Sequence, residues 1–231
     1  MGYRRIRDEL KKHQGIKVND KRILRICRKK QIQSTIKWRP KSCTRSSADP
    51  AHIAKNYLNR DFHADAPNKK WLTDVTEFKY YIGTDVHKVY LSAILDLYDR
   101  RIVAYKISDH NDNPLVMNTF DEAVALEPDA HPLFHSDRGF QYTGKQFCTR
   151  LKKHHMKQSM SRVAHCIDNG PMEGFWGILK REMYYGKKFT SKGDLTAAVE
   201  SYIRYYNTER IQRNLHLMTP AEFHEHFDAV A

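Results

Sequence analysis

The sequence predicts a mixed α/β fold: three antiparallel strands continued by parallel ones, helices packed on the sheet, and a small basic helical segment ahead of it. Three observations predict it. Between Trp71 and Ile107 aromatic and β-branched residues dominate, broken by turns at Gly83 and at Asp99 and Arg100, which is the pattern of a strand meander. A helical stretch from Leu115 to Leu126 then separates the meander from a short fourth strand, Pro132 to Asp137. Finally, the net charge of +13 is lopsided: residues 1–48 hold 16 Lys or Arg against three acids, while the rest of the chain has 24 of each sign.

At the amino terminus, Ile6 and Leu10 lie four apart among basic residues, so a short amphipathic helix is expected from Tyr3 to His13, ended by Gly15. Asn19 is the expected N-cap of a second helix with Ile23, Ile26 and Cys27 on its apolar face and Lys21, Arg22, Arg25, Arg28 and Lys29 around its other sides. The pair is similar to part of a helix-turn-helix. Between Lys37 and Asp65 the composition shifts to Trp38, Pro40, Ser42, Ser46, Ser47 and Pro50 without apolar period. The expected organisation is therefore a basic segment over 1–36, a linker over 37–65 and a core over 66–231. Within the core Trp71 to Tyr81 forms the first strand, Val89, Leu91, Ala93, Leu95 and Leu97 alternate on one face of the second, and Ile102 to Ile107 forms the third.

Composition excludes several function classes. With 231 residues and 40% hydrophobic content the chain is long enough for one good core and a small appendage. No apolar run approaches the roughly 18 to 20 residues that cross a bilayer, and Met1 to Arg7 lacks a secretory apolar stretch, so a cytoplasmic protein without a membrane partner is expected. Cys27, Cys43, Cys148 and Cys166 are too far apart for a zinc knuckle and are read as reduced thiols. No glycine-rich phosphate loop of the nucleotide-binding kind occurs. The basic block is the footprint of a polyanion, since each phosphate it neutralises releases condensed counterions; Arg4, Arg5, Lys21, Arg22 and Arg25 are its expected DNA contacts.

Candidate chemistry rests on carboxylates. Asp74 falls inside the first strand between apolar neighbours, where an acid is costly without a positive partner. Asp137 ends the fourth strand, and Gly139 lets the chain turn away. Glu173 follows Gly170 as cap and Pro171 at the first helical position, which puts it in the first turn of a helix running on through Trp176, Leu179 and Met183. Three converging carboxylates repel unless a cation offsets them, and an all-oxygen set favours Mg²⁺ or Mn²⁺, two of which serve phosphodiester chemistry. Lys180, seven residues past Glu173, lies on the same helical face within reach of a phosphate. A strand Asp can also serve only an ion pair and a first-turn Glu only the helix dipole. Asp96, also on a strand, competes with Asp74 on spacing alone.

The chain also resembles the bacterial insertion-sequence transposases made from a second reading frame, whose core is similar to retroviral integrase. The resemblance is carried by Asp65-Ala66-Pro67-Asn68 with Trp71-Leu72-Thr73-Asp74, by Leu95-Asp96-Leu97-Tyr98-Asp99-Arg100-Arg101-Ile102, by His135-Ser136-Asp137-Arg138-Gly139, by Ser159-Met160-Ser161-Arg162, by Asp168-Asn169, by Leu179-Lys180-Arg181-Glu182 and by Tyr206-Asn207, and 35 residues separate Asp137 from Glu173. It implies a ribonuclease-H-like fold, with Asp74, Asp137 and Glu173 as catalytic residues and metal ligands, and leaves Asp96 structural. Lys180 is then expected on the element's terminal DNA, and Arg162, inside a matching segment, on DNA as well. The implied reaction is hydrolysis at an element end followed by attack of the freed 3′-hydroxyl on target DNA. Implied partners are element and target DNA, a homodimer or larger assembly on DNA, and a helix-turn-helix protein from an upstream frame. Val163 and Ala164 stand where Lys-Gly is usual, and Met1 to Ile6 match what normally lies further inside, so an amino-terminally shortened copy is expected. Two other readings remain open at this point: a resolvase of the same fold, and a catalytically decayed or recruited DNA-binding protein.

Overall fold

The computed structural model describes residues 1–34, 53–162 and 166–228. Most of the expected linker, and the departures at Val163 and Ala164, lie outside these. The meander forms as expected: β1 (Lys70–Ile82), β2 (Asp85–Asp96) and β3 (Ile102–Ser108) pair antiparallel in sequence. Gly83 makes the first turn at a φ of 60°, a left-handed conformation that suits a residue without a Cβ. After helix α3 (Asn113–Leu126), strand β4 (Leu133–Ser136) returns parallel to β1. Two helices, α4 (Phe140–Thr143) and α5 (Lys145–Lys153), lead to β5 (Lys157–Met160), parallel to β4, giving a five-stranded sheet of order β3-β2-β1-β4-β5.

Both faces of the sheet are covered. On one, Leu72, Phe78, Leu91 and Leu95 pack with Met172, Phe175, Trp176 and Leu179 of α6 (Gly170–Leu179) and with Leu195, Val199 and Ile203 of α7 (Lys192–Thr208). On the other, Trp71, Ile94 and Phe134 pack with Val116, Phe120 and Ala123 of α3 and Phe147 and Leu151 of α5. This second layer explains why β2 is buried at every position from Leu91 to Asp96 although its large apolar residues alternate. Residues 53–65, within the expected linker, also pack against the core: Leu58 and Ala64 are buried in the α6 and α7 layer.

The amino-terminal pair forms α1 (Tyr3–Gln14), closed by Gly15 at a φ of 67°, and α2 (Asp20–Lys29), where the Asn19 side chain accepts from the Arg22 N–H at 2.8 Å. Ile23 and Cys27 are buried, but Ile26 is 43% exposed, because only the stripe shared by residues four apart faces a neighbour. Among the described residues Cys27 and Cys148 are free thiols, and no helix is long and apolar enough to cross a membrane.

Helix α1 docks on the core through charge. Residues 5, 8 and 12 occupy one face: Arg5 donates to Glu182 at 3.3 Å and to the Tyr205 hydroxyl at 2.6 Å, Asp8 accepts from Arg213 at 2.7 Å, and Lys12 pairs with Glu222 of α8 (Pro220–Asp228). Burial pulls the Asp8 and Glu182 carboxyls up, yet Arg213 and Arg7 hold the first, and Arg210 the second, below the ordinary values of 3.8 and 4.5. Depressed carboxyls stabilise the docked helix above those ordinary values, and that contribution is lost as pH falls through the lower folded ones. Hydrogen exchange is therefore expected to release the amides of residues 3–14 as pH falls below the ordinary carboxylate values while β1 and β2 stay protected. Unchanged protection of α1 below those values would contradict a charge-held contact.

Candidate active site

The site follows from strand register. The parallel pairs Trp71 with Phe134 and Leu72 with His135, carried on by two residues, set Asp74 abreast of Asp137 just past the end of β4. Neighbouring strands lie about 4.8 Å apart, and partners in parallel register point to the same face. That face is the one α6 covers, since Leu72 and Phe78, even-numbered like Asp74, both pack there.

The two aspartates are held by the backbone or by an aromatic N–H. The Trp176 indole donates to Asp74 Oδ2 at 3.0 Å. The Gly139 N–H donates to Asp137 Oδ1 at 2.8 Å, and a Cβ at Gly139 would stand 3.0 Å from that oxygen and 2.9 Å from Gln141 Oε1, so any larger residue would push the Asp137 and Gln141 side chains aside. Burial, with the charge of Asp137 next and Glu173 contributing, pushes the Asp74 carboxyl up to about 7. Burial likewise raises Asp137 against the lowering pull of the Gly139 N–H, although one side of the residue stays open to solvent. Tyr142, buried beneath the pair, is driven well up by burial and then by Asp137 and Asp74. Its hydroxyl donates to Thr73 Oγ1 at 3.3 Å, because the Thr73 hydroxyl hydrogen goes to the Ala93 carbonyl at 3.0 Å.

Glu173 stands in the first turn of α6 as expected, although the N-cap is Asn169, one residue earlier than the glycine the sequence pointed to. Asn169 ties this helix start to β1 by donating to the Thr73 carbonyl at 3.1 Å. Trp176, one turn beyond Glu173, aims the same helical face at Asp74. Lys180 follows on that stripe where α6 widens into a π turn over Lys180–Tyr184; its ammonium lies 5.2 Å from the centre of the Phe78 ring. Burial pulls Lys180 below the usual lysine range, against Glu77 and Asp74, which raise it.

The rival carboxylate is committed elsewhere. Asp96 is fully buried abreast of Trp71 and accepts from the Asn68 N–H at 2.6 Å, the Tyr98 N–H at 2.7 Å and the Trp71 indole at 3.3 Å, which braces the β2 to β3 turn. His135, also buried, bridges Ser159 Oγ at 2.9 Å and Ser161 Oγ at 3.1 Å. Ser159 Oγ already accepts the Tyr57 and Leu58 N–H groups, so its hydroxyl donates to Nδ1 and the proton of the neutral ring sits on Nε2. Burial pushes His135 down to about 4, which keeps the ring neutral.

Of the expected DNA contacts, Lys21, Arg22 and Arg25 are exposed on α2 and Arg4 is exposed on α1, whereas Arg5 is half-buried in the docking contact. Arg162 is bidentate to the buried Asp168, at 2.9 Å through both Nε and Nη2, and Arg60 reaches the same carboxylate at 2.8 Å. Sequence reasoning missed Trp176, Asn169 and Arg60 as parts of this site. Only the three-residue step from Glu173 to Trp176 could have pointed to the first.

The donor set suits a hard divalent cation: oxygens only, with two carboxylates abreast and, among the described residues, neither Asp74 nor Asp137 in an ion pair. Among those residues no group of three or more His, Cys, Asp or Glu is gathered closely enough to enclose an ion by itself.

Residues 64–166 match the integrase core domain family, residues 173–227 a second integrase core domain family, and residues 1–41 an HTH-like domain family. The InsK protein of insertion sequence element IS150 in Escherichia coli (strain K12) is 38% identical over 223 residues, which cover 96% of this chain and 76% of InsK. An uncharacterized transposase-like protein of Haemophilus influenzae is 38% identical over 213 residues, covering 92% and 96% of the two chains. The transposase InsF for insertion sequence IS3A of E. coli (strain K12) is 30% identical over 226 residues, covering 96% and 76%. Among solved structures, the magnesium complex of the HTLV-2 integrase catalytic core domain in its trimeric form superposes with a TM-score of 0.54 at 20% identity, over 70% of this chain and 99% of that one. The simian T-cell lymphotropic virus intasome with a PP2A regulatory subunit gives 0.57 at 18% identity, over 90% and 67%. The fold is thus the ribonuclease-H-like sheet of the retroviral integrase cores.

The Trp176 bond gives a stability prediction. Trp176→Phe keeps an aromatic ring in the α6 layer and removes the donor to Asp74, so urea denaturation should register a loss of about 1–3 kcal/mol. A loss under about 0.5 kcal/mol would mean that this bond contributes nothing net.

Proposed function

Since the chain belongs to the bacterial insertion-sequence transposases that carry an integrase core, we propose that Asp74, Asp137 and Glu173 are its Asp-Asp-Glu set and hold the divalent ions, two of Mg²⁺ or Mn²⁺, on which its chemistry depends. The chain is a DNA transposase, a polynucleotidyl transferase that breaks and rejoins phosphodiester bonds. The observation that supports the residue assignment best is the register that sets Asp74 opposite Asp137, with Glu173 close enough for its charge to be felt at Asp74.

When bound, such ions activate the attacking oxygen and neutralise the charge that builds on the phosphate and the leaving oxygen. The protein's own groups set up this chemistry. Trp176 and Gly139 each occupy one carboxylate oxygen and so orient the remaining ones. Lys180, half-buried on the Glu173 stripe, offers its ammonium to a phosphate oxygen beside the carboxylates. In the first step a water oxygen bonds to phosphorus as the bond to the 3′-oxygen breaks, leaving a 3′-hydroxyl and a 5′-phosphate. In the second, that hydroxyl bonds to a target phosphorus and a target 3′-oxygen leaves with the proton. Neither step needs a covalent link to the protein.

We assign residues 1–36 to DNA binding and residues 66–231 to catalysis, with 53–65 held to the catalytic body by Leu58 and by Arg60. Lys21, Arg22 and Arg25, exposed along α2, are positioned for phosphates. A dimer or larger assembly on DNA is part of the same reading.

Two experiments test it. Asp74→Asn, Asp137→Asn and Glu173→Gln should each abolish Mg²⁺-dependent nicking and joining of a linear duplex carrying the element's ends, while anisotropy shows DNA binding retained. Binding without any metal-dependent cleavage by the unaltered protein would instead favour a non-catalytic DNA-binding protein. Replacing Lys21, Arg22 and Arg25 together by Gln should lower the slope of log affinity against log salt by about 0.9 for each phosphate no longer neutralised. An unchanged slope would make α2 mere solvated surface.

A further inference from the structure

The chain after residue 48 carries as many acids as bases, so a local excess of positive charge there stands out. One such excess lies along the outer edge of the sheet, where the segment 53–60 runs beside β5. Residues 53–57 are extended, and burial alternates with period two on into the turn at 58–60: Ala54, Asn56 and Leu58 turn inward and Lys55, Tyr57 and Asn59 outward. It is tied down by the Ala54 N–H to Met160 Sδ at 3.4 Å, by the Tyr57 and Leu58 N–H groups to Ser159 Oγ at 3.0 and 3.1 Å, and by Asn56 to Asp168 at 3.0 Å. Its outward side chains are therefore presented from a fixed backbone.

At one end of this edge the Lys157 ammonium sits 3.5 Å from the centre of the Tyr57 ring and the Lys55 ammonium 5.9 Å from it. Both lysines are exposed, and among the described residues neither is in an ion pair. Tyr57 itself is 46% exposed, a large aromatic left at the surface between two cations. At the other end Arg60 and Arg162 share Asp168, so two positive charges meet one negative. The guanidiniums keep further N–H donors on side chains that are 42% and 44% exposed. Asp168 directly precedes Asn169, the cap of the helix that carries Glu173.

From Lys157 to Arg162 the strand and its extension run five steps at about 3.3 Å, or about 16 Å. A nucleic-acid strand's phosphates advance about 3.4 Å each along a duplex axis and lie farther apart along the strand itself, so the edge is long enough for a few of them. We propose that this edge is a track for one DNA strand, which Lys55, Lys157, Arg60 and Arg162 hold by its phosphates and deliver to the carboxylates, with Tyr57 as a stacking platform at its outer end. The proposal rests on the reading of Asp74, Asp137 and Glu173 as the cutting site. Cation–π contact holds the two lysines near their working positions, so less side-chain freedom is given up when phosphate binds. As Lys157 turns from the ring to a phosphate, the ring face it uncovers can stack on a base, which is sequence-tolerant because every base has a π face.

The test uses the full chain and a fluorescein-labelled linear duplex with a short single-stranded end. Lys55→Gln with Lys157→Gln should lower the salt slope of binding by about 1.8, two phosphates at about 0.9 each, with an unchanged melting curve. Tyr57→Ala should weaken binding to the single-stranded end several-fold and leave the slope unaltered. A slope equal to that of the unaltered protein, with DNA still nicked in Mg²⁺, would overturn the track while sparing the cutting site. A lowered slope in a protein that never nicks DNA would support the track and overturn the cutting site.

Discussion

Two parallel ladder contacts, Trp71 with Phe134 and Leu72 with His135, govern everything that happens at the site. Parallel pairing leaves no freedom in which residues stand side by side, so two carboxylates 63 positions apart in the chain come abreast two residues further on. A slip of one residue would turn Asp74 or Asp137 to the opposite face, under α3 and α5. The register is pinned from both sides: Trp71 and Phe134 are buried in the α3 and α5 layer, and Leu72 in the α6 and α7 layer. Apolar packing thereby enforces a juxtaposition of like charges that electrostatics alone would resist, and the Asp74 carboxyl is raised by its burial first and by the charge of Asp137 second. A site under such tension is suited to gain a cation.

The third element, α6, is positioned by several small agreements. Asn169 fastens its start to the Thr73 carbonyl, Trp176 fastens its middle to Asp74, and Phe175 and Leu179 bury its far side. Asp168, immediately ahead, gathers Arg60, Arg162 and Asn56, and so binds the segment before β1 to the wall of the site. The arginines hold its carboxyl far below the usual range, which makes this a firmly charged joint. The same residues that brace the wall thus leave positive charge along the approach to it. In the proposed track, structure and substrate recognition share side chains, and Arg162 belongs to both.

Most of the fold was legible in the sequence because its signals are local. Alternation over Val89 to Leu97, the turn at Gly83, the cap at Asn19 and the stop at Gly15 each depend on a few neighbouring residues and all reappear in the structure. Strand β5 was less legible: Lys157 to Met160 is short and mostly polar, and its burial comes from segment 53–60 lying across it. Ile26 was assigned to a buried face because helical spacing says which residues share a side, not how wide a neighbour covers that side. Residues 53–65 looked like linker for a related reason, since a segment with Leu58 and Ala64 as isolated anchors has no apolar period.

Composition and local patterning marked this as a basic, helix-led α/β protein with Asp74, Asp96, Asp137 and Glu173 as candidate acids; the family resemblance singled out 74, 137 and 173, whose oxygens suit a hard cation. The tertiary structure decided which carboxylates meet. Asp74 and Asp96 are alike in local sequence, both strand residues among apolar neighbours, yet one faces Trp176 and Asp137 while the other is saturated by N–H groups on the opposite face of the same strand pair. It decided too that Arg5 joins helices while Lys21 and Arg22 face solvent. The physical reason is that a charge's role depends on what lies within a few ångströms of it, and those distances arise from packing between segments far apart in the chain.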